Sequence, residues 1–83
     1  MSRILIVEDD VQLADALVDG LSEFNHVAEA VASGSEGIER LLSISYDIAI
    51  LDWGLPELSG ADICRNYRQK GGQALIIFLT GKK

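Results

Sequence analysis

The sequence has little of the residues that build disulfides and zinc sites. Its 83 residues include one cysteine and one histidine. A lone Cys64 excludes an internal disulfide and fits a reducing compartment. A catalytic thiol would need a base, and His26 is far from Cys64 in sequence. Disulfide scaffolds, zinc centres of Cys and His, and thiol enzymes are therefore excluded or disfavoured.

Basic residues and long apolar runs are also scarce. Seven Lys and Arg against thirteen Asp and Glu give a formal net charge of −6. This charge argues against nucleic-acid binding, because phosphate backbones select positive protein surfaces. No stretch approaches the roughly 20 apolar residues that span a bilayer, and no signal peptide is recognisable. We expect one small globular domain that is soluble and cytoplasmic, without a membrane partner.

Three short apolar runs are present instead, at Ile4–Val7, Ile48–Leu51 and Leu75–Leu79. None alternates with polar residues, which predicts strands of a parallel sheet that are buried on both faces. A fourth, mixed strand is predicted at His26–Val31 and suits a sheet edge. Helical patterns separate these runs, so the order is β-α-β-α-β-α-β. This order predicts an α/β fold with an open, doubly wound parallel sheet.

Each predicted helix has an apolar stripe and an end signal. Asp10, Ser33 and the Gly71-Gly72 pair are placed to cap or stop helices. The inward positions of the first helix are Leu13, Ala14, Leu17, Val18, Leu21 and Phe24. Those of the second are Ile38, Leu41 and Leu42. Those of the third, from about Ser59 to Lys70, are Ala61, Cys64 and Tyr67, or else Ile63 and Tyr67.

Acidic and hydroxyl side chains follow the predicted strands. Glu8, Asp9 and Asp10 come after the first strand, Asp52 after the third and Thr80 after the fourth. Ligands of open α/β sheets bind at the carboxyl ends of strands, so we expect these side chains to lie together. Two carboxylates about 5 Å apart repel by roughly 3 kcal/mol at an effective dielectric near 20, so the cluster must be protonated, hydrated or neutralised by a cation. Oxygen ligands suit Mg²⁺, and Asp is a competent phosphoryl acceptor.

Each of these residues also has a plainer interpretation. Asp10 is better explained as a helix cap than as a ligand, and Thr80 alone is an ordinary strand end. Glu8 and Asp9 alone fit a solvated loop, and Asp52 alone fits a turn. Trp53 either shields the site or packs. The functional interpretation is favoured because the acidic side chains and Thr80 occur together at the ends of neighbouring strands.

Three segments resemble the receiver domain of two-component response regulators: Arg3–Asp10, Asp47–Pro56 followed by Gly60, and Leu75–Thr80. The resemblance implies a flavodoxin-like fold with strand order 2-1-3-4. It also implies a phosphoacceptor switch rather than an enzyme, with a sensor histidine kinase as the phosphodonor. Trp53, Gly54 and Gly81 occupy positions where this sequence departs from the usual family pattern.

The resemblance also implies a role for each site residue. Asp52 would accept the phosphoryl group, and Thr80 would be the switch hydroxyl. Mg²⁺ would be held by Asp9, by Asp52, by Glu8 mainly through water, and by the backbone carbonyl of Gly54.

The family has a fifth strand with two further helices, so residues 1–83 would be the N-terminal part of a receiver domain. The family's lysine belongs to that absent strand, and Lys82 and Lys83 are in the wrong place to replace it. The fourth strand would then be a bare apolar edge, and we expect the chain alone to form a homodimer through it, to swap elements or to aggregate. Two alternatives remain: a pseudo-receiver used for protein interaction, and a haloacid-dehalogenase-like phosphohydrolase. The latter needs a second Asp where Gly54 stands.

Overall fold

Four strands and three helices alternate along residues 1–55 and 58–79, the part of the chain that the structure, a computed structural model, describes. The strands are β1 (Arg3–Val7), β2 (Val27–Val31), β3 (Ile48–Asp52) and β4 (Leu75–Leu79). The helices are α1 (Val11–Glu23), α2 (Gly34–Ser43) and α3 (Gly60–Gln69). All four predicted strands and all three predicted helices are confirmed.

The strands form one parallel sheet in the order β2-β1-β3-β4. The predicted strand order and the doubly wound α/β architecture are therefore correct. β1 lies inside the sheet, and Ile4 to Val7 are all buried, as their continuous apolar pattern predicts. α2 and α3 pack on the face that carries Leu5 and Leu51, whereas α1 packs against β1 and β2.

The prediction that β4 is buried on both faces is wrong. Leu75 is 59% exposed and Ile77 is 43% exposed, whereas Ile76 and Phe78 pack against the core beneath α2 and α3. The reason is position: within residues 1–55 and 58–79, β4 is the last strand in the sheet order, and α1 lies over β1 and β2. The apolar pattern predicted the strand correctly and its surroundings incorrectly.

The predicted helix stripes are wider than the faces that become buried. In α1, Ala14 is buried, but Leu13 is 38% exposed and Phe24, beyond the last helical residue, is 74% exposed. In α2, Leu41 is buried while Leu42, one position further around the helix, is 43% exposed. In α3 the second predicted set is the buried one, because Ile63 and Tyr67 face the core and Cys64 is half-buried beside it.

The helix ends follow the predicted chemistry. The side chain of Asp10 accepts a hydrogen bond from the amide of Leu13 at 3.2 Å, and Ser33 accepts one from the amide of Glu36 at 3.3 Å. After α3, Gly71 has a φ of +88°, the left-handed conformation that glycine adopts at lowest cost.

Gly60 brings the start of α3 against β3. A Cβ atom at this position would lie 2.8 Å from the backbone oxygen of Asp52, so a larger residue would push α3 away from the end of β3. We expect Gly60→Ala to destabilise the fold by about 1–3 kcal/mol, measured by urea unfolding followed by circular dichroism.

Gly20 is the matched control for this substitution. It lies within α1, and a Cβ atom there would meet nothing within 4 Å. Because alanine is the better helix former, Gly20→Ala is expected to stabilise the fold by about 0.5–1 kcal/mol. Equal losses of stability in both variants would contradict the close approach at Gly60.

Candidate metal and phosphoacceptor site

Three carboxylates converge at the carboxyl end of the sheet. Glu8 directly follows β1, Asp52 ends β3, and Asp9 begins the turn into α1. Each of the three offers an oxygen atom that lies within 4.8 Å of the others. The parallel pairing of Val7 with Leu51 explains this, since it places the next residues of both strands side by side. The predicted convergence of these three acids is therefore present.

Burial divides the cluster into two enclosed carboxylates and one open one. Glu8 and Asp52 are each 2% exposed, whereas Asp9 is exposed. The plainer interpretation of Glu8 as part of a solvated loop is wrong. Its amide donates to the carbonyl of Val31 at 3.1 Å, which continues the β1–β2 ladder by one residue and holds Glu8 inside the sheet.

Backbone amides fix the two buried carboxylates. The amide of Asp10 donates to Oε2 of Glu8 at 2.9 Å, and the amide of Gly54 donates to Oδ1 of Asp52 at 3.1 Å. Oε1 of Glu8 is buried and has no hydrogen-bond partner among the described residues. A buried oxygen without a partner is costly, so it indicates that a positively charged group or a donor belongs beside it.

The pKa of Glu8 is raised above its ordinary value of 4.5. Burial is the largest cause, because it penalises the charged form, and the negative charge of Asp52 adds to it. The hydrogen bond from the Asp10 amide acts in the opposite direction without cancelling the rise. Among the described residues neither Glu8 nor Asp52 forms a salt bridge, so the site holds negative charge that this part of the chain does not neutralise.

The donor set fits a hard divalent cation. The cluster consists of carboxylate oxygens, with one exposed member beside two buried ones. Mg²⁺ usually binds one or two carboxylates and keeps several waters, and the exposure of Asp9 leaves room for such waters at the site. Zinc prefers nitrogen and sulfur ligands, and the described cluster contains no His or Cys.

The other predicted site residues lie nearby, serve another purpose, or fall outside the described ranges. Asp10 is the N-cap of α1, as the plainer interpretation predicts. The amide of Gly54 contacts Asp52, while a ligand role for its carbonyl stays a prediction. Thr80, Gly81, Lys82 and Lys83 lie outside the described residues, as does Pro56.

Trp53 connects the site to β4. Its amide donates to the carbonyl of Leu79 at 3.1 Å, and its ring lies edge-on to Phe78 with centroids 5.1 Å apart. The indole is 50% exposed, so it packs without closing over Asp52. Of the two predicted roles, packing is the one observed.

A polar network across the sheet was not predicted. The hydroxyl of Tyr46 donates to Glu29 on β2, and the guanidinium groups of Arg3 and Arg40 lie 3.1 and 3.4 Å from the same carboxylate. The hydrogen bond from Tyr46 is the main reason why the pKa of Glu29 is lowered. These residues are far apart in sequence, and only the strand register brings them together. The network lies apart from the acidic cluster.

Comparison with known proteins identifies the family. The model of the response regulator receiver domain matches residues 4–83. The chain is 39% identical over 80 residues to the transcriptional regulatory protein QseB of Escherichia coli O157:H7, covering 96% of the chain and 36% of QseB. It is 40% identical over 82 residues to the response regulator ArlR of Staphylococcus aureus, covering 99% of the chain and 37% of ArlR.

A solved structure extends the likeness. The response regulator TrrA of Thermotoga maritima, in complex with Mg(2+)-BeF, superposes with a TM-score of 0.91 at 32% identity, covering 100% of the chain and 72% of TrrA. TrrA is also known in complex with the histidine kinase ThkA. The chain thus spans little more than a third of the two curated relatives. The absence of one strand and two helices of the receiver domain from this chain stays a prediction.

No helix in the described ranges is long and apolar enough to cross a bilayer.

We expect Glu8→Gln to stabilise the chain by about 1–3 kcal/mol at neutral pH without Mg²⁺, because it removes an unneutralised buried charge. The raised pKa of Glu8 sets the sign of the pH dependence. The penalty on the wild type is full above the folded-state pKa and falls as pH drops through it. It vanishes below the ordinary value of 4.5, where both states are protonated. Urea unfolding at several pH values measures the difference.

Asp19→Asn, at an exposed position of α1, is the control and should change stability little at any pH. With Mg²⁺ in excess, the order of wild type and Glu8→Gln should reverse, because the cation stabilises the carboxylate it binds. A Glu8→Gln chain that is less stable than wild type without Mg²⁺ at neutral pH would contradict this electrostatic account.

Proposed function

We propose that this chain, which belongs to the response regulator receiver domain family, accepts a phosphoryl group on Asp52. The observation that carries the proposal is the position of this side chain. A carboxylate that is 2% exposed lies at the end of β3, beside two further acids. Its role is that of a stoichiometric acceptor and switch.

The attacking group is the carboxylate of Asp52. The Gly54 amide engages Oδ1 of Asp52, which fixes the carboxylate, and we assign the attack to Oδ2. In the proposed step Oδ2 forms a bond to phosphorus while the P–N bond of a phosphohistidine breaks. The electron pair of that bond stays on the imidazole nitrogen, which takes up a proton as it leaves. Phosphoryl transfer of this kind depends mainly on positioning and on electrostatics.

Glu8, Asp9 and Asp52 would hold Mg²⁺, together with the backbone carbonyl of Gly54. When bound, Mg²⁺ offsets the negative charge of the carboxylates and of the incoming phosphoryl group. The buried, unpartnered Oε1 of Glu8 supports this assignment, as does the complex of TrrA with Mg(2+)-BeF. Because Asp9 is the exposed member of the three, we assign it direct contact with an ion that remains partly hydrated.

A sensor histidine kinase is the proposed phosphodonor. TrrA is 32% identical to this chain, and its complex with ThkA supports a histidine kinase as the class of partner without naming the kinase.

We further propose that the chain works in the cytoplasm, where the free Cys64 would stay reduced. A second copy of the chain is the other proposed partner, because no strand within residues 1–55 and 58–79 pairs with the outer edge of β4. No nucleic-acid contact is proposed for this negatively charged segment.

Mass spectrometry after incubation with Mg²⁺ and acetyl phosphate tests the acceptor. We expect the mass of one phosphoryl group to be added to the wild type and to be absent from Asp52→Asn, which lacks the nucleophilic carboxylate. Asp10→Asn is the matched control, because asparagine also caps a helix and Asp10 is the N-cap of α1. It should keep the adduct. An adduct that persists in Asp52→Asn would overturn the assignment, and a folded wild type without adduct would favour the pseudo-receiver alternative.

Thr80 is proposed as the hydroxyl that reports phosphorylation to β4. It follows Leu79, whose carbonyl accepts from Trp53, and Phe78 touches the Trp53 ring. A shift of Thr80 toward the phosphoryl group should therefore change Trp53 fluorescence. We expect Thr80→Ala to form the adduct and to lose most of the fluorescence change, with Thr80→Ser restoring it. A full fluorescence response in phosphorylated Thr80→Ala would contradict this role.

A further inference from the structure

The connection from β3 to α3 carries the backbone that fixes Asp52, and the core holds it at two described places. Near its start, the amide of Gly54 donates to Oδ1 of Asp52 at 3.1 Å, and the next residue, Leu55, is buried in the core. Near its end, Leu58 packs against the same core and precedes Ser59, the N-cap of α3. The place of the Gly54 backbone beside Asp52 therefore depends on what holds Leu55 and Leu58.

The start of α2 lies against Leu58 at a buried glycine. A Cβ atom built on Gly34 would lie 2.7 Å from Cβ and 2.9 Å from the backbone oxygen of Leu58. Neither of these two atoms moves when the Leu58 side chain changes rotamer. A larger residue at position 34 would therefore have to displace the backbone of α2 or of the β3–α3 connection.

A second buried glycine of α2 makes a different approach. A Cβ atom on Gly37 would lie 2.8 Å from Cγ2 and 3.1 Å from Cγ1 of Val7, which are side-chain atoms of β1. Gly37 thus lies against the sheet, whereas Gly34 lies against the connection that follows Asp52. Because both positions are tight and belong to one helix, Gly37 is the matched control for Gly34.

We propose that Gly34 is a positioning residue for the acceptor site. Without a side chain, it lets α2 hold Leu58 where the Gly54 backbone meets Asp52. Its effect reaches the site through Leu58 and Gly54, because a closely packed interior transmits a displacement of one element to its neighbours. The inference rests on the proposed function, in which the carbonyl of Gly54 is a ligand of Mg²⁺.

Nuclear magnetic resonance of the metal-free chain tests the positioning. We expect Gly34→Ala to move the amide proton resonance of Gly54 upfield, because its hydrogen bond to Asp52 lengthens. Leu58→Ala, which removes core contacts of the same connection without adding an atom to α2, should also move this resonance. Gly37→Ala should lower the urea midpoint as Gly34→Ala does, yet leave the Gly54 resonance in place. Circular dichroism verifies that each variant folds.

Isothermal titration with MgCl₂ measures the consequence for the metal site. We expect Gly34→Ala to raise the Mg²⁺ dissociation constant by about ten-fold, as is usual when a group that orients a metal ligand is changed. Leu58→Ala should raise it as well, and Gly37→Ala should leave it at the wild-type value.

Two results would overturn this inference alone. One is a wild-type Gly54 resonance and wild-type Mg²⁺ affinity in both Gly34→Ala and Leu58→Ala. The other is an equal change in Gly37→Ala, which would mean that any loss of α2 packing is sufficient. A folded wild type that binds no Mg²⁺ overturns the proposed function instead, and the Gly54 resonance of the metal-free chain then still confirms or overturns the positioning by Gly34.

Discussion

The electrostatic repulsion between two buried carboxylates constrains the rest of this end of the molecule. Glu8 and Asp52 are each 2% exposed, and neither has a basic side chain within the described acidic cluster. At about 5 Å such a pair costs roughly 3 kcal/mol even at an effective dielectric near 20. The cost arises from the parallel pairing of β1 with β3, which places the ends of both strands together. The same pairing that builds the core thus creates a site that requires positive charge.

The surroundings of the site are organised around these two side chains. The turn into α1 gives the amide of Asp10 to Glu8, and the loop after β3 gives the amide of Gly54 to Asp52. Trp53, which lies between Asp52 and Gly54 in that loop, reaches β4 through its amide and its ring. A change in charge at Asp52 therefore has a short physical path to β4.

Much of this arrangement follows from the sequence, because it depends on strand order. Continuous apolar runs predict β1, β3 and β4, and parallel topology then predicts that Glu8, Asp9 and Asp52 meet. The sequence does not predict the burial of Glu8, which depends on one hydrogen bond from its amide to Val31. Nor does it predict the exposure of Leu13, Phe24 and Leu42. Apolar periodicity shows which residues share one face of a helix, but it does not show how much of that face is covered by other elements. The network at Glu29 depends on strand register, which sequence patterns leave open.

We propose that Glu8, Asp9 and Asp52, two buried acids and one exposed acid, form a divalent cation site. Diffraction from crystals soaked in Mn²⁺, which shares the oxygen ligands of Mg²⁺ and scatters anomalously, tests it most directly. We expect an anomalous peak among the carboxylates of Glu8, Asp9 and Asp52, and no such peak in Asp52→Asn. Well-ordered carboxylates without a peak between them, or a peak bound elsewhere on the chain, would contradict it.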